Sequence, residues 1–237
     1  MRKLVFLVLM VSLVVSLAAC DRDPNKRYDE AHLNEVYTML RNANVGITSF
    51  VYDGSFTDYL AFEAQGSGVL FMESDGFVYA LTNYHVVNPR QYNHAEYYIQ
   101  LSNTDTKILG HLVAFDETLD LAVLRFEVLD ASYALVNIST RVEDPLQQGE
   151  FVLAFGMPDD TNYHQGEYLG MVSIDEVNFN VVHHTANVVS GFSGGALTDI
   201  HGNLIGINTW TGGNNAGLAV SIKEIYTFLS HNNLLPE

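Results

Sequence analysis

The sequence predicts an all-β protein folded as antiparallel barrels or a sandwich. Three observations lead there. From Val45 to Val220, short apolar or alternating runs rich in Val, Ile, Phe and Tyr are separated by Gly, Asn and Asp. About twelve such runs follow one another with hardly any helical spacing between them, which argues against a series of βαβ units. The 237 residues are 48% hydrophobic and only 16% charged, so the chain can bury a sizeable core and is neither disordered nor of low complexity.

Before that β-rich stretch come three other segments. Arg2 and Lys3 precede an apolar run from Leu4 to Ala19, broken only by Ser12 and Ser16 and closing in Leu17-Ala18-Ala19-Cys20. A positive start, an apolar centre and small residues before a cut form a secretory signal. The ending resembles a bacterial lipobox, with Cys20 as the lipid-modified first residue of the mature chain. An uncleaved anchor is the alternative, but it needs about 20 apolar residues, slightly more than this run offers. Residues 1–19 are thus read as a lipoprotein signal peptide and residues 20–28, polar and containing Pro24, as a tether. The domain is expected over residues 29–237. It opens with a short helix, in which Leu33, Val36, Tyr37 and Leu40 share one face and Asp29 is the candidate N-cap.

The candidate strands are 45–52, 59–71, 77–82, 96–101, 106–115, 120–127, 150–155, 167–174, 178–184, 195–199, 203–209 and 216–220. The more polar stretch 128–149, with Pro145, reads as a crossover between two halves. A final helix starts at the capping box Ser221-Ile222-Lys223-Glu224, in which Ser and Glu side chains each satisfy a backbone N–H. Its apolar face is Ile222, Ile225, Tyr226 and Leu229.

Charge and cysteine content narrow the function. Eleven basic against 28 acidic residues give a net charge of −17, and removal of Arg2 and Lys3 with the signal would leave −19. Such a surface repels phosphate backbones, so no nucleic-acid partner is expected. The single Cys excludes an intramolecular disulfide and a C-x-x-C site. No H-E-x-x-H or paired-carboxylate spacing appears, so no metal site and no cofactor are expected. His183 and His184 are adjacent and on a strand face opposite sides, so they do not line one pocket together. His94, His111, His164 and His201 fit no motif and are expected at the surface or in loops.

Three islands carry the chemistry. Leu81-Thr82-Asn83-Tyr84-His85-Val86-Val87 follows Gly66-Ser67-Gly68-Val69. Thr118-Leu119-Asp120-Leu121-Ala122-Val123-Leu124 comes next. Gly191-Phe192-Ser193-Gly194-Gly195-Ala196-Leu197 precedes Gly202-Asn203-Leu204-Ile205-Gly206-Ile207-Asn208. Taken singly, Ser193 reads as a turn residue, His85 as a core histidine and Asp120 as the start of a strand. Together they run His, Asp, Ser, the chain order of the chymotrypsin-type triad and not that of subtilisin or the α/β-hydrolases.

Read together, these segments resemble the trypsin-like serine proteases of the Deg/HtrA family over roughly Val45 to Leu229. Gly156-Met157-Pro158 and Leu169-Gly170-Met171-Val172-Ser173 resemble further family segments. The resemblance implies a chymotrypsin-like pair of six-stranded antiparallel β-barrels with the site between them. It implies Ser193 as nucleophile, His85 as general base and then acid, and Asp120 as the group that orients the imidazole. Backbone N–H groups of Gly191 and Ser193 would form the oxyanion hole. Counting back from the nucleophile places Asn187 at the floor of the primary substrate pocket, where a neutral side chain favours medium apolar residues over Lys or Arg.

Two departures stand out. Phe192 replaces the family's Asn before the nucleophile; it removes no obligatory donor, but its bulk is expected to narrow the cleft or to shift the loop. The PDZ domains common in the family are not expected here. The sequence therefore reads as an extracytoplasmic serine endopeptidase, anchored to a bacterial membrane through Cys20, that cleaves unfolded or damaged proteins, generally or at one partner substrate. A homotrimer is the family's analogy. The alternative is a catalytically idle module that binds peptides on the same fold.

Overall fold

Alternation along the strands explains the architecture. The computed structural model describes residues 30–52, 60–88, 94–128, 131–138, 140–156, 163–212 and 216–236. The signal segment, Cys20, the tether, Asp29 and Met157-Pro158 lie outside them.

Helix α1 (Glu30–Ala43) leads directly into the first barrel: β1 (Asn44–Tyr52), β2 (Leu60–Ser74), β3 (Phe77–Thr82), the one-turn helix α2 (Tyr84–Val87), β4 (His94–Leu101), β5 (Lys107–Asp116) and β6 (Leu121–Phe126). The short helix α3 (Thr140–Glu143) lies in the crossover. The second barrel contains β7 (Phe151–Phe155), β8 (Tyr163–Ser173), β9 (Asn180–His184), β10 (Ala196–Asp199), β11 (Leu204–Thr211) and β12 (Gly217–Ser221), and α4 (Ile222–His231) follows. Each sheet closes on itself, in the orders β1-β2-β3-β6-β5-β4 and β10-β11-β12-β9-β8-β7, with every neighbouring pair antiparallel. All twelve expected strands are present, and the pair of six-stranded barrels is the expected one.

Three apolar cores account for the continuous hydrophobic runs. In β3, Val78 and Ala80 point into the first barrel, whereas Tyr79 and Leu81 point outward into a cluster shared with the second. In β6, Ala122, Leu124 and Phe126 face inward, and Leu121 and Val123 face that shared cluster. The second barrel mirrors this in β7, with Val152 and Ala154 inside and Leu153 and Phe155 outside. A strand buried on both faces has no polar alternation to display. The shared cluster also takes Val36, Leu40 and Ala43 of α1 and Ile222, Ile225, Phe228 and Leu229 of α4. Both helices thus cover the seam between barrels, where each buried Leu or Ile side chain contributes about 1.5–3 kcal/mol.

Differences from the expected boundaries have local causes. Strand β8 begins at Tyr163, four residues early, because Tyr163-His164-Gln165-Gly166 is exposed or half-buried and carries no apolar alternation. In α4 the buried face includes Phe228 and leaves Tyr226 half-exposed. The Ser221 hydroxyl accepts the Glu224 N–H, the serine half of the expected capping box. The crossover is stitched to both barrels: the Val136 N–H donates to the Leu70 carbonyl at 2.9 Å, and the Leu204 N–H donates to the Asn137 carbonyl at 2.8 Å. Among the described residues no helix is long and apolar enough to cross a membrane.

Candidate active site

Strand register places the first two residues. Thr82 at the end of β3 pairs with Ala122 near the start of β6. The residues just beyond, Asn83 to His85 on one strand and Asp120 before the other, therefore meet at the barrel rim. Helix α2 is a single turn whose Val86 and Val87 are buried, which turns the His85 side chain outward, 48% exposed. Asp120 lies in the left-handed region at φ +53, an uncommon conformation for a residue other than Gly and one that the neighbouring turn supports. The Asp116 carboxylate accepts the N–H groups of Thr118 and Leu119 at 2.8 and 3.0 Å, which rounds off that turn.

The Asp120 carboxylate, 12% exposed, accepts twice from one residue. Its Oδ1 takes the His85 backbone N–H at 2.9 Å and its Oδ2 the His85 Nδ1–H at 2.7 Å. A carboxylate at this position only accepts, so the proton sits on Nδ1 and Nε2 is left as a base. Asn83 braces the couple from behind. Its amide donates to the Asp120 carbonyl at 2.8 Å and to the Thr209 hydroxyl at 2.9 Å.

Ser193 arrives from the second barrel, on the loop between β9 and β10. The N–H of Gly194 donates to the Asn208 carbonyl and that of Asn208 to the Gly195 carbonyl, both at 2.9 Å, so this loop rides on β11 beside Thr209. The Ser193 hydroxyl donates to the Thr209 carbonyl at 3.5 Å rather than to His85. Ser67 of the first barrel fixes the loop from the other side. Its hydroxyl donates to the Gly191 carbonyl at 2.5 Å, and its N–H to the Ser193 carbonyl at 2.8 Å. Gly66 makes this approach possible: a Cβ there would lie 2.7 Å from Val86 Cγ2 and 2.9 Å from the Ser193 carbonyl. The histidine turn and the serine loop thus converge on one point that only a glycine leaves open.

The loop also has an alternating pattern of N–H groups. Phe192 N–H donates to the Val189 carbonyl at 3.0 Å, and Gly195 N–H to the Phe192 carbonyl at 2.8 Å. Among the described residues, the N–H groups of Gly191 and Ser193 have no acceptor. Gly191, at φ +93, and Gly194, at φ +88, allow the turn.

The expectation that Phe192 narrows the cleft is overturned. Its side chain is fully buried and packs inside the second barrel with Val152, Ala154 and Leu197. Gly156 makes room for it, since a Cβ there would come within 2.6 Å of the ring. Asn187 sits partly exposed between β9 and the serine turn and does not line the cleft beside His85. That cleft, of about 1040 Å³, runs past His85, Asp120, Thr209 and Trp210. Ser67, Asn83 and Thr209 are the contributors that sequence reasoning leaves without a role. The first two stand inside the quoted motifs, and Thr209 carries no sequence signal.

His184 is fully buried on β9 and His183 half-buried, in line with their opposite orientation. Burial first, and then the neighbouring His183, push the His184 pKa down to about 4. Among the described residues, no group of three or more His, Cys, Asp or Glu converges as metal ligands would.

A family model described as a trypsin-like peptidase domain matches residues 66–207. The periplasmic pH-dependent serine endoprotease DegQ of Escherichia coli is 34% identical over 90% of this chain and 51% of its own. The serine protease Do-like HtrA of Bacillus subtilis is 29% identical over 78% of this chain and 44% of its own. A protein of the same description from Lactococcus lactis is 31% identical over 65% and 38%. The chain therefore spans about half the length, or less, of these relatives.

Proposed function

Because the chain belongs to the trypsin-like peptidases, and within them to the Deg/HtrA serine proteases, we propose that it is an extracytoplasmic serine endopeptidase acting on unfolded or damaged proteins through His85, Asp120 and Ser193. The observation that carries this reading is the His85–Asp120 couple, with its free Nε2, beside a serine loop pinned from both barrels.

The reaction follows from the groups in place. The Ser193 hydroxyl swings from the Thr209 carbonyl towards His85 Nε2, which takes its proton as Oγ attacks the substrate carbonyl carbon. Negative charge moves to the carbonyl oxygen, where the N–H groups of Gly191 and Ser193 receive it. His85, now cationic and held by Asp120, returns the proton to the leaving amine as the C–N bond breaks. Water then repeats the sequence on the acyl-serine ester and frees the acid.

Periplasmic relatives support an extracytoplasmic site of action. Lipid attachment at Cys20 would hold the domain at the membrane, and a homotrimer remains the family's analogy. Asn187 as a pocket residue would favour medium apolar side chains before the cut; casein fragments cut mainly after Lys or Arg would refute that. The idle-module reading draws on the Ser193 hydroxyl bonding Thr209 rather than His85. Labelling by a fluorophosphonate decides between them. Wild-type protein that labels, with Ser193→Ala unlabelled, supports the peptidase. A folded wild-type protein that neither labels nor digests casein supports the idle module.

A further inference from the structure

We propose that the cleft beside His85 selects polypeptides that carry Lys or Arg near the bond to be cut, though not on the residue immediately before it. This rests on the peptidase reading above and adds a substrate class to it.

The lining of the cleft is one-sided in charge. Glu63 comes from β2 and Glu117 from the β5–β6 turn, both in the first barrel, while Asp175 and Glu176 come from the β8–β9 turn of the second. Carboxylates thus face the same cleft from both barrels. Among the described residues, no Lys or Arg lines it. Glu63, Asp175 and Glu176 are exposed and form no ion pair with a described residue. Like charges on opposing walls focus a negative potential in the space between them and raise the local concentration of a cationic ligand. A chain with a net charge of −17 adds to that field.

The walls also suit the stem of a basic side chain. Phe62, Val177 and the half-buried Trp210 provide apolar surface among the carboxylates. Lys and Arg lay their methylenes on such surface and keep the charged end near acceptors, and an indole face attracts the cation itself. Beyond Gln65 a smaller pocket of about 260 Å³ reaches Ser190 and Gly191, and Lys107 lines it. Among its described lining residues that pocket has no carboxylate, in contrast to the His85–Trp210 side. An acidic segment is repelled there, and a neutral one gains only apolar contact.

The test uses fluorogenic peptides with Val before the cut and flanks of Lys, Ser or Glu. At low salt the Lys peptide should have a kcat/KM at least about tenfold above the Glu peptide. That ratio should shrink towards one near ~1 M salt, where the Debye length is ~3 Å. The triple variant Glu63→Gln, Asp175→Asn, Glu176→Gln should flatten the ratio. A control with the same charge change on other surfaces, Asp75→Asn, Asp105→Asn, Glu143→Gln, should keep it. Equal cleavage of all three peptides by wild type, or a preference that survives the cleft triple, overturns the proposal. A second measurement stands apart from catalysis: binding of labelled, uncut peptides to Ser193→Ala by fluorescence anisotropy. If wild type cuts nothing and takes no fluorophosphonate, the peptidase reading fails. The binding ranking then still decides, Lys tighter than Glu supporting the charge selection and equal affinities refuting it.

Discussion

The two hydrogen bonds from His85 to one carboxylate determine what each substitution should do. Ser193→Ala and His85→Ala should each lower casein hydrolysis by about 10⁶-fold in turnover, and the double variant should be little worse, because the pair acts as a unit. Asp120→Asn places an amide against Nδ1 and favours the wrong tautomer, so a loss of about 10⁴-fold is expected. Phe192 belongs to stability instead. Fully buried, it should cost about 3–5 kcal/mol when cut back to Ala, read as a lowered denaturant midpoint. The triad candidates were legible because three motifs held them in order. Where Phe192 points was not, because that follows from which N–H groups the turn uses. Nor was the part played by Ser67, since its bond to Gly191 joins residues 124 apart in the chain.

Among the elements, the α1–β1 junction and strand β9 carry distinct expectations. Asn44, 1% exposed, donates to the Leu40 carbonyl at 2.8 Å and accepts the Ala196 N–H at 3.1 Å. It ties the end of α1 to the strand that leaves the serine loop. Asn44→Ala orphans two buried backbone groups and should lower stability by about 1–3 kcal/mol for each in urea unfolding. On β9, burial holds His184 at about 4, below the ~6.5 of a free histidine. Between those values the unfolded chain binds a proton that the folded chain refuses. Stability from this group is therefore intact above pH ~6.5 and falls as pH drops towards about 4, by roughly 3 kcal/mol at most. His184→Gln should flatten the fall in Tm between those pH values relative to wild type; an unchanged slope would refute the assignment. Strand existence was legible from apolar runs and turn residues, whereas the early start of β8 was hidden because its first residues are polar and bury little.

Across the molecule, the seam between barrels holds the proposed catalytic residues, and the sequence announced two barrels only through resemblance, since its apolar runs fit a sandwich equally well. The shared core explains why: strands buried on both faces look alike whichever way two sheets are stacked. If Cys20 is acylated, wild-type protein should enter the detergent phase of a membrane partition, because acyl chains hold at ~0.8 kcal/mol per buried CH₂, and Cys20→Ser should prevent lipid attachment and normal lipoprotein maturation, read from the mass of the N-terminal peptide. Recovery of wild type as a soluble chain beginning well after Cys20 would refute that. The chain has a single tryptophan, and it stands in the wall of the cleft. All indole emission from this protein therefore originates in the cleft that His85 and Asp120 line. A peptide that settles there changes the polarity around that ring, so docking is visible as a shift in intrinsic fluorescence without any attached dye. Unfolding followed at the same wavelength reports the opening of the seam rather than an average over the whole chain.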